Sequence, residues 1–104
     1  MRFNFRGKSF SVVFKKLKNE WGTCQSATPR IIEISSGIRK KKLLLDTMIH
    51  EICHACFPDI SEDAVDEAAR DMAEFLWQMG YRKEEFVKNN KKKIIRHKKR
   101  KFRR

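Results

Sequence analysis

From about Lys40 onward the apolar residues of this chain change their spacing, and that change bounds what it can fold into. Over residues 2–14 they alternate. Phe3 and Phe5 share one strand face, and after Arg6-Gly7-Lys8 so do Phe10, Val12 and Phe14. Period two on both sides of a glycine-containing turn predicts a β-hairpin. A third strand is expected near Trp21–Cys24, then a loop over Gln25–Pro29. Ile31-Ile32-Glu33-Ile34 reads as a fourth strand, closed by Ser35-Ser36-Gly37. Beyond Lys40, Leu45, Met48, Ile49, Ile52 and Cys56 recur at i, i+3, i+4, the period of a helix. Pro58 ends that helix, because it forces its predecessor out of helical geometry.

A second helix is expected to start at Ser61, a good N-cap. Glu62 and Asp63 then suit the positive end of the helix dipole. Val65, Ala69, Met72, Leu76 and Met79 form its apolar stripe, and Gly80 is its stop. The spacing predicts an α+β fold: a small antiparallel sheet of three to four strands, then two helices packed on one of its faces. Residues 82–95 carry a weaker pattern for a third short helix. With 104 residues there is room for one core, which the eight Phe help to fill.

Charge is unevenly placed along the chain. Residues 1–45 hold 11 basic and 2 acidic residues, residues 46–87 hold 3 and 11, and residues 88–104 hold 11 and none. The formal net charge of +12 is therefore carried by an appendage. Residues 1–87 are expected to form the compact domain. Residues 88–104 should repel themselves and lack order when free. Leu43-Leu44-Leu45 is far shorter than the ~20 apolar residues of a bilayer span. Met1-Arg2-Phe3-Asn4 opens no secretory apolar region. Cys24, Cys53 and Cys56 are too few, and odd in number, for a disulfide framework. A cytoplasmic monomer with reduced thiols and no membrane contact is expected.

His50-Glu51-Ile52-Cys53-His54 is H-E-x-x-H on the first helix. Residues i and i+4 stand one above the other, so two imidazoles can reach one Zn²⁺ at ~2.0–2.1 Å. Glu51 lies beside that face. It is placed to take a proton from a water polarised by the metal and return it to a leaving amine. With His50 at 0°, His54 falls near ~40° and Glu51 near ~100°. Leu45, Met48, Ile49, Ile52 and Cys56 cluster at roughly 160–260°. The expected helix buries its apolar side in the sheet and shows both histidines on the other. Cys53 and Cys56 point away from the histidines and read as small apolar packing residues.

A catalytic zinc site needs a third protein ligand and an open position. His97 lies in the basic tail. The acidic second helix offers Glu62, Asp63, Asp66, Glu67 and Asp71. Glu67 and Asp71 form E-x-x-x-D, one turn apart. That spacing predicts Glu67 as third metal ligand and Asp71 as acceptor for the N–H of a ligating histidine. Asp63 and Asp66 are rival ligands.

"LLLDTMIHEICHA", followed by an alanine-rich acidic helix ending "FLWQMGYR", resembles compact zinc metallopeptidases of the SprT-like and minimal gluzincin type, including small phage-encoded members. The resemblance spans about residues 20–82 and is most specific over 43–54. It implies a sheet, an active-site helix and a ligand-bearing helix, zinc at His50 and His54, Glu51 as base, and a ligand downstream. SprT-like proteases use a third histidine and often a cysteine-rich zinc ribbon, both missing from this pattern, so the gluzincin variant with Glu67 fits better. The resemblance also implies an edge strand beside the active helix that pairs with an extended peptide substrate, here Ile31–Ile34. For a phage-encoded chain the compartment is the host cytoplasm.

Lys91, Lys92, Lys93, Arg96, Lys98, Lys99, Arg100 and Lys101 could neutralise phosphates without reading sequence. The implied function is a zinc metallopeptidase acting on peptides or proteins, with nucleic-acid-associated proteins as one substrate class. The competing function is a non-catalytic, basic nucleic-acid-binding protein with a structural or vestigial zinc site.

Overall fold

A computed structural model describes residues 1–83. Four strands and two helices follow in the expected order: β1 (Arg2–Phe5), β2 (Lys8–Lys15), β3 (Gly22–Gln25), β4 (Ile31–Ser35), α1 (Lys41–Cys56) and α2 (Glu62–Gln78). The fold is α+β. No described helix is long and apolar enough to cross a membrane. The helix expected over 82–95 and the tail 88–104 lie outside the described residues, apart from Arg82 and Lys83.

The β1–β2 hairpin turns through Arg6 and Gly7, with φ of +52° and +79°. Two positive φ values give the turn whose twist matches the flanking strands. Arg6 is tied down for that conformation: its guanidinium donates to the Cys56 carbonyl at 3.0 Å and lies 5.4 Å from the Phe57 ring centroid. The hairpin tip is thus fastened to the negative end of α1.

The sheet is mixed rather than antiparallel. Its order is β1-β2-β4-β3, with β2 and β4 parallel and the other two pairs antiparallel. After β2 the chain crosses to the far edge, makes β3, and returns to place β4 in the middle. Period-two alternation assigns each residue a face but leaves the neighbouring strand unspecified. The Ile31–Ile34 segment is therefore central, and β3 is the edge strand beside α1.

Phe10, Ile32, Ile34 and Ala55 form the buried centre, joined by Phe5, Val12, Leu44 and Met48. Helix α1 contacts the sheet on one side and α2 on another. Its sheet-facing residues include Leu44, Met48 and Ala55, with Thr47 and Glu51 against β3. Ile52, expected in the core, is 37% exposed. A wheel drawn for one buried face misses a helix covered from two directions.

Helix α2 starts as expected, with the Ser61 hydroxyl accepting from the Ala64 N–H at 3.2 Å. It ends at Gly80 (φ +92°), where the Tyr81 N–H reaches the Leu76 carbonyl. Its buried positions are Val65, Ala69 and Ala73, and Met72 and Met79 are exposed. Small side chains let α2 approach α1 closely, so the contact stripe follows steps of four and the methionines fall outside it. The pairs Glu62–His54, Asp66–His50 and Glu74–Lys42 show that the helices run antiparallel.

Candidate metal centre

His50 and His54 sit one turn apart on α1, with ring centroids 4.9 Å apart. The five residues between α1 and α2 turn the chain back, so the first residue of α2 faces the last turns of α1. Glu62 therefore spans both rings: Oε2 lies 3.0 Å from His50 Nε2 and Oε1 lies 3.0 Å from His54 Nε2. His50 Nδ1 faces Asp66 Oδ1 at 3.3 Å.

The His50 Nε2–Glu62 Oε2 contact has hydrogen-bond geometry, and because an ionised carboxylate only accepts, either a proton on Nε2 or a cation lies between the two atoms. Tetrahedral zinc ligands at ~2.0–2.1 Å stand roughly 3.3 Å from one another, close to the 3.0 Å of the two His–Glu62 contacts. Among the described residues, His50, His54 and Glu62 form a group whose potential ligand atoms all lie within 4.8 Å of one another. Two imidazoles and one carboxylate are a donor set that suits zinc.

Glu51 is one residue around the helix, turned to the sheet edge, and only 6% exposed. Glycine at position 22 makes room for it: a Cβ there would lie 3.0 Å from Glu51 Cγ, from Glu51 Oε2 and from Thr47 Cγ2. Burial pushes the Glu51 carboxyl above the usual carboxylate range. The His50 and His54 rings pull it down, and the Glu62 carboxylate adds a smaller upward push. Glu51 and His50 line a cleft of about 300 Å³ with Trp21, Thr47, Asp66 and Arg70. One wall is formed by Trp21 and by Gly22 at the start of β3, the edge strand among the described residues.

The carboxylates on the histidines are thus Glu62 and Asp66. Glu67 and Asp71 are exposed on the far side of α2, and Asp63 is exposed as well. The places beside the histidines expected of Glu67 and Asp71 are taken by residues five positions earlier. Glu62-Asp63-Ala64-Val65-Asp66 is also E-x-x-x-D, and it was the overlooked signal. Gly22 escaped notice too, although a glycine within a strand marks close approach.

The thiols stand apart from this cluster. Cys53 is buried and Cys56 half-buried. Burial raises the Cys53 and Cys24 thiols above their usual range, which keeps them protonated. Lys91, Lys92, Lys93, Arg96, His97, Lys98, Lys99, Arg100 and Lys101 lie outside the described residues. Comparison with protein-family models, curated proteins and solved structures finds no significant match.

Proposed function

We propose that this chain is a zinc-dependent metallopeptidase that hydrolyses peptide bonds. The observation that carries the reading is the convergence of both H-E-x-x-H imidazoles on the Glu62 carboxylate, at 3.0 Å each, beside a buried Glu51. Zinc, when bound, supplies Lewis acidity: it polarises a carbonyl and lowers the pKa of water toward ~7.

The chain's own groups would supply the rest. His50, His54 and Glu62 hold the ion, and Asp66 fixes the His50 ring through Nδ1. Glu51, held by Gly22 and Thr47, accepts a proton from the attacking water and returns it to the leaving amine. Partial burial keeps its pKa raised, which suits a group that must both take and give a proton near neutral pH. The open edge of β3 offers backbone partners to an extended peptide lying across the cleft. The 11 cations of residues 88–104 would bring the enzyme to proteins associated with nucleic acid.

Zinc stoichiometry and peptide hydrolysis of Glu51→Gln test this reading. One zinc per chain retained with hydrolysis lost is the expected result. Full activity of Glu51→Gln, or a wild-type chain that binds no zinc, overturns it.

A further inference from the structure

Charged side chains of α1 and α2 meet in rungs one helical turn apart. His54 meets Glu62, His50 meets Asp66 and, two turns further along, Lys42 meets Glu74. The same register sets Asp46 opposite Arg70. Their charges are opposite, and the rungs on either side of them are closed. Yet among the described residues neither the Asp46 nor the Arg70 side chain makes an ion pair or a hydrogen bond. Both instead line the cleft of about 300 Å³ that also holds His50 and Glu51.

An unpaired guanidinium on a cleft wall selects planar anions, because its fork of N–H donors matches two carboxylate oxygens. Among the described residues, Arg70 is the one lysine or arginine on this lining. Its neighbour Asp66 is already engaged by His50 Nδ1 at 3.3 Å. Asp46, half-buried on the opposite wall, can only accept, so it calls for an N–H. A phosphate would satisfy Arg70 and be repelled by Asp46. An amino-acid residue that carries both a carboxylate and a backbone N–H satisfies the two walls together. Trp21 and Leu43 add apolar surface to the same cleft.

The spacing fits a peptide held at the candidate site. Neighbouring rungs stand ~6 Å apart along a helix. An extended residue spans at most ~3.3–3.6 Å. A carbonyl held beside His50 therefore brings the first or second residue along the peptide to the Asp46–Arg70 rung.

We propose that Arg70 binds a carboxylate of the substrate, one or two residues from the scissile bond, while Asp46 accepts the N–H of the same residue. The carboxylate is the C-terminus of the peptide or an Asp or Glu side chain. The inference rests on the peptidase reading for the scissile bond, and on the open rung alone for the group bound.

Two measurements on the full chain test these parts separately. Chemical-shift titration of the metal-free protein needs no turnover and gives a carboxylate no ion to bind instead. The probes are N-acetyl-leucine, the α-amide of N-acetylglutamate, and N-acetyl-leucinamide. The first or the second should bind and the neutral third should not, and which of the two binds tells a chain terminus from a side chain. Arg70→Gln should weaken that binding about tenfold or more. Hydrolysis by the zinc-loaded protein should favour a peptide with the carboxylate over its amide counterpart by roughly 10–100-fold, carried by KM, and Arg70→Gln should bring the ratio toward one. Carboxylate and amide probes bound alike, with hydrolysis intact, would overturn the proposal and leave the peptidase reading standing. Carboxylate-selective binding by a chain that hydrolyses no peptide would support the Arg70 site and overturn the peptidase reading. A melting temperature that falls in Asp46→Asn and in Arg70→Gln, and no further in the double variant, with carboxylate binding unchanged, would make the rung an internal ion pair and overturn the proposal as well.

Discussion

Replacing Gly22 with alanine separates two accounts of the site, because they predict opposite signs. An alanine that fits at a strand glycine stabilises by about 0.4–1 kcal/mol, by restricting the unfolded chain. Here the added methyl would stand 3.0 Å from Glu51 Cγ, Glu51 Oε2 and Thr47 Cγ2. Carbon atoms prefer ~3.5–4.0 Å, so something must give by about half an ångström. Neither neighbour has room, since Glu51 and Thr47 are both buried on a helix held by the core. Overpacking of this kind costs roughly 1–3 kcal/mol. For a domain of this size each 1 kcal/mol is worth about 4–8 °C of melting temperature. The displaced group is also the candidate base. A misplacement of about 1 Å can cost ~100-fold in rate, so half of that should cost about tenfold in kcat. Zinc affinity should hardly move, because His50, His54 and Glu62 gather on the α2 side of the helix. Thermal melts of the metal-free protein, calorimetric zinc titration and peptide hydrolysis at saturating zinc measure the three effects. A Gly22→Ala protein that melts at or above the parent temperature, with undiminished kcat, would refute the tight seating of Glu51 against β3.

Glu62→Gln should weaken zinc binding by at least 100-fold and Asp66→Asn by about 10–100-fold, while Glu67→Gln and Asp71→Asn leave it near the parent value. Equal losses at Glu62 and Glu67 in a zinc titration would contradict the geometry. Glu51→Gln should stabilise the metal-free protein at pH 7. The folded-state pKa of Glu51 is raised above its ordinary 4.5, so the stability contributed by its protonation is present below that value and is lost as pH rises through the folded one. Urea midpoints of parent and variant in chelator should converge near pH 4, and a variant less stable at pH 7 would reverse the sign. Non-specific DNA binding should carry a steep salt dependence. Neutralising Lys91, Lys92, Lys93 and Arg96 should reduce its log–log slope by up to roughly one unit for each phosphate no longer neutralised. A slope that does not change would place the DNA-binding cations elsewhere.

Much of the fold was legible because local chemistry decides it. Arg6-Gly7 between two alternating runs gave the hairpin, Ser61 and Gly80 bounded α2, and Pro58 stopped α1. Strand order was harder, since alternation marks faces and leaves partners open. The two-sided burial of α1 was less accessible. Thr47 and Glu51 look like surface residues until Gly22 is seen opposite them.

The carboxylate that faces the histidines is the instructive case, because the sequence held the means to choose it. E-x-x-x-D occurs twice, at Glu62/Asp66 and at Glu67/Asp71, and spacing alone cannot rank the two. The apolar residues between them can. Val65 and Ala69 define the face that α2 turns toward α1, and both are buried. At ~100° per residue, Glu62 lies roughly 40° from the middle of that face and Glu67 roughly 180° away. A carboxylate opposite the packing face cannot reach a neighbouring helix, whatever motif it belongs to. The short α1–α2 connection makes the same choice, since it sets the first turn of α2 beside the last turns of α1, where His54 stands. Local pattern thus nominated the residue types and their spacing, and burial of the intervening apolar pair fixed the register.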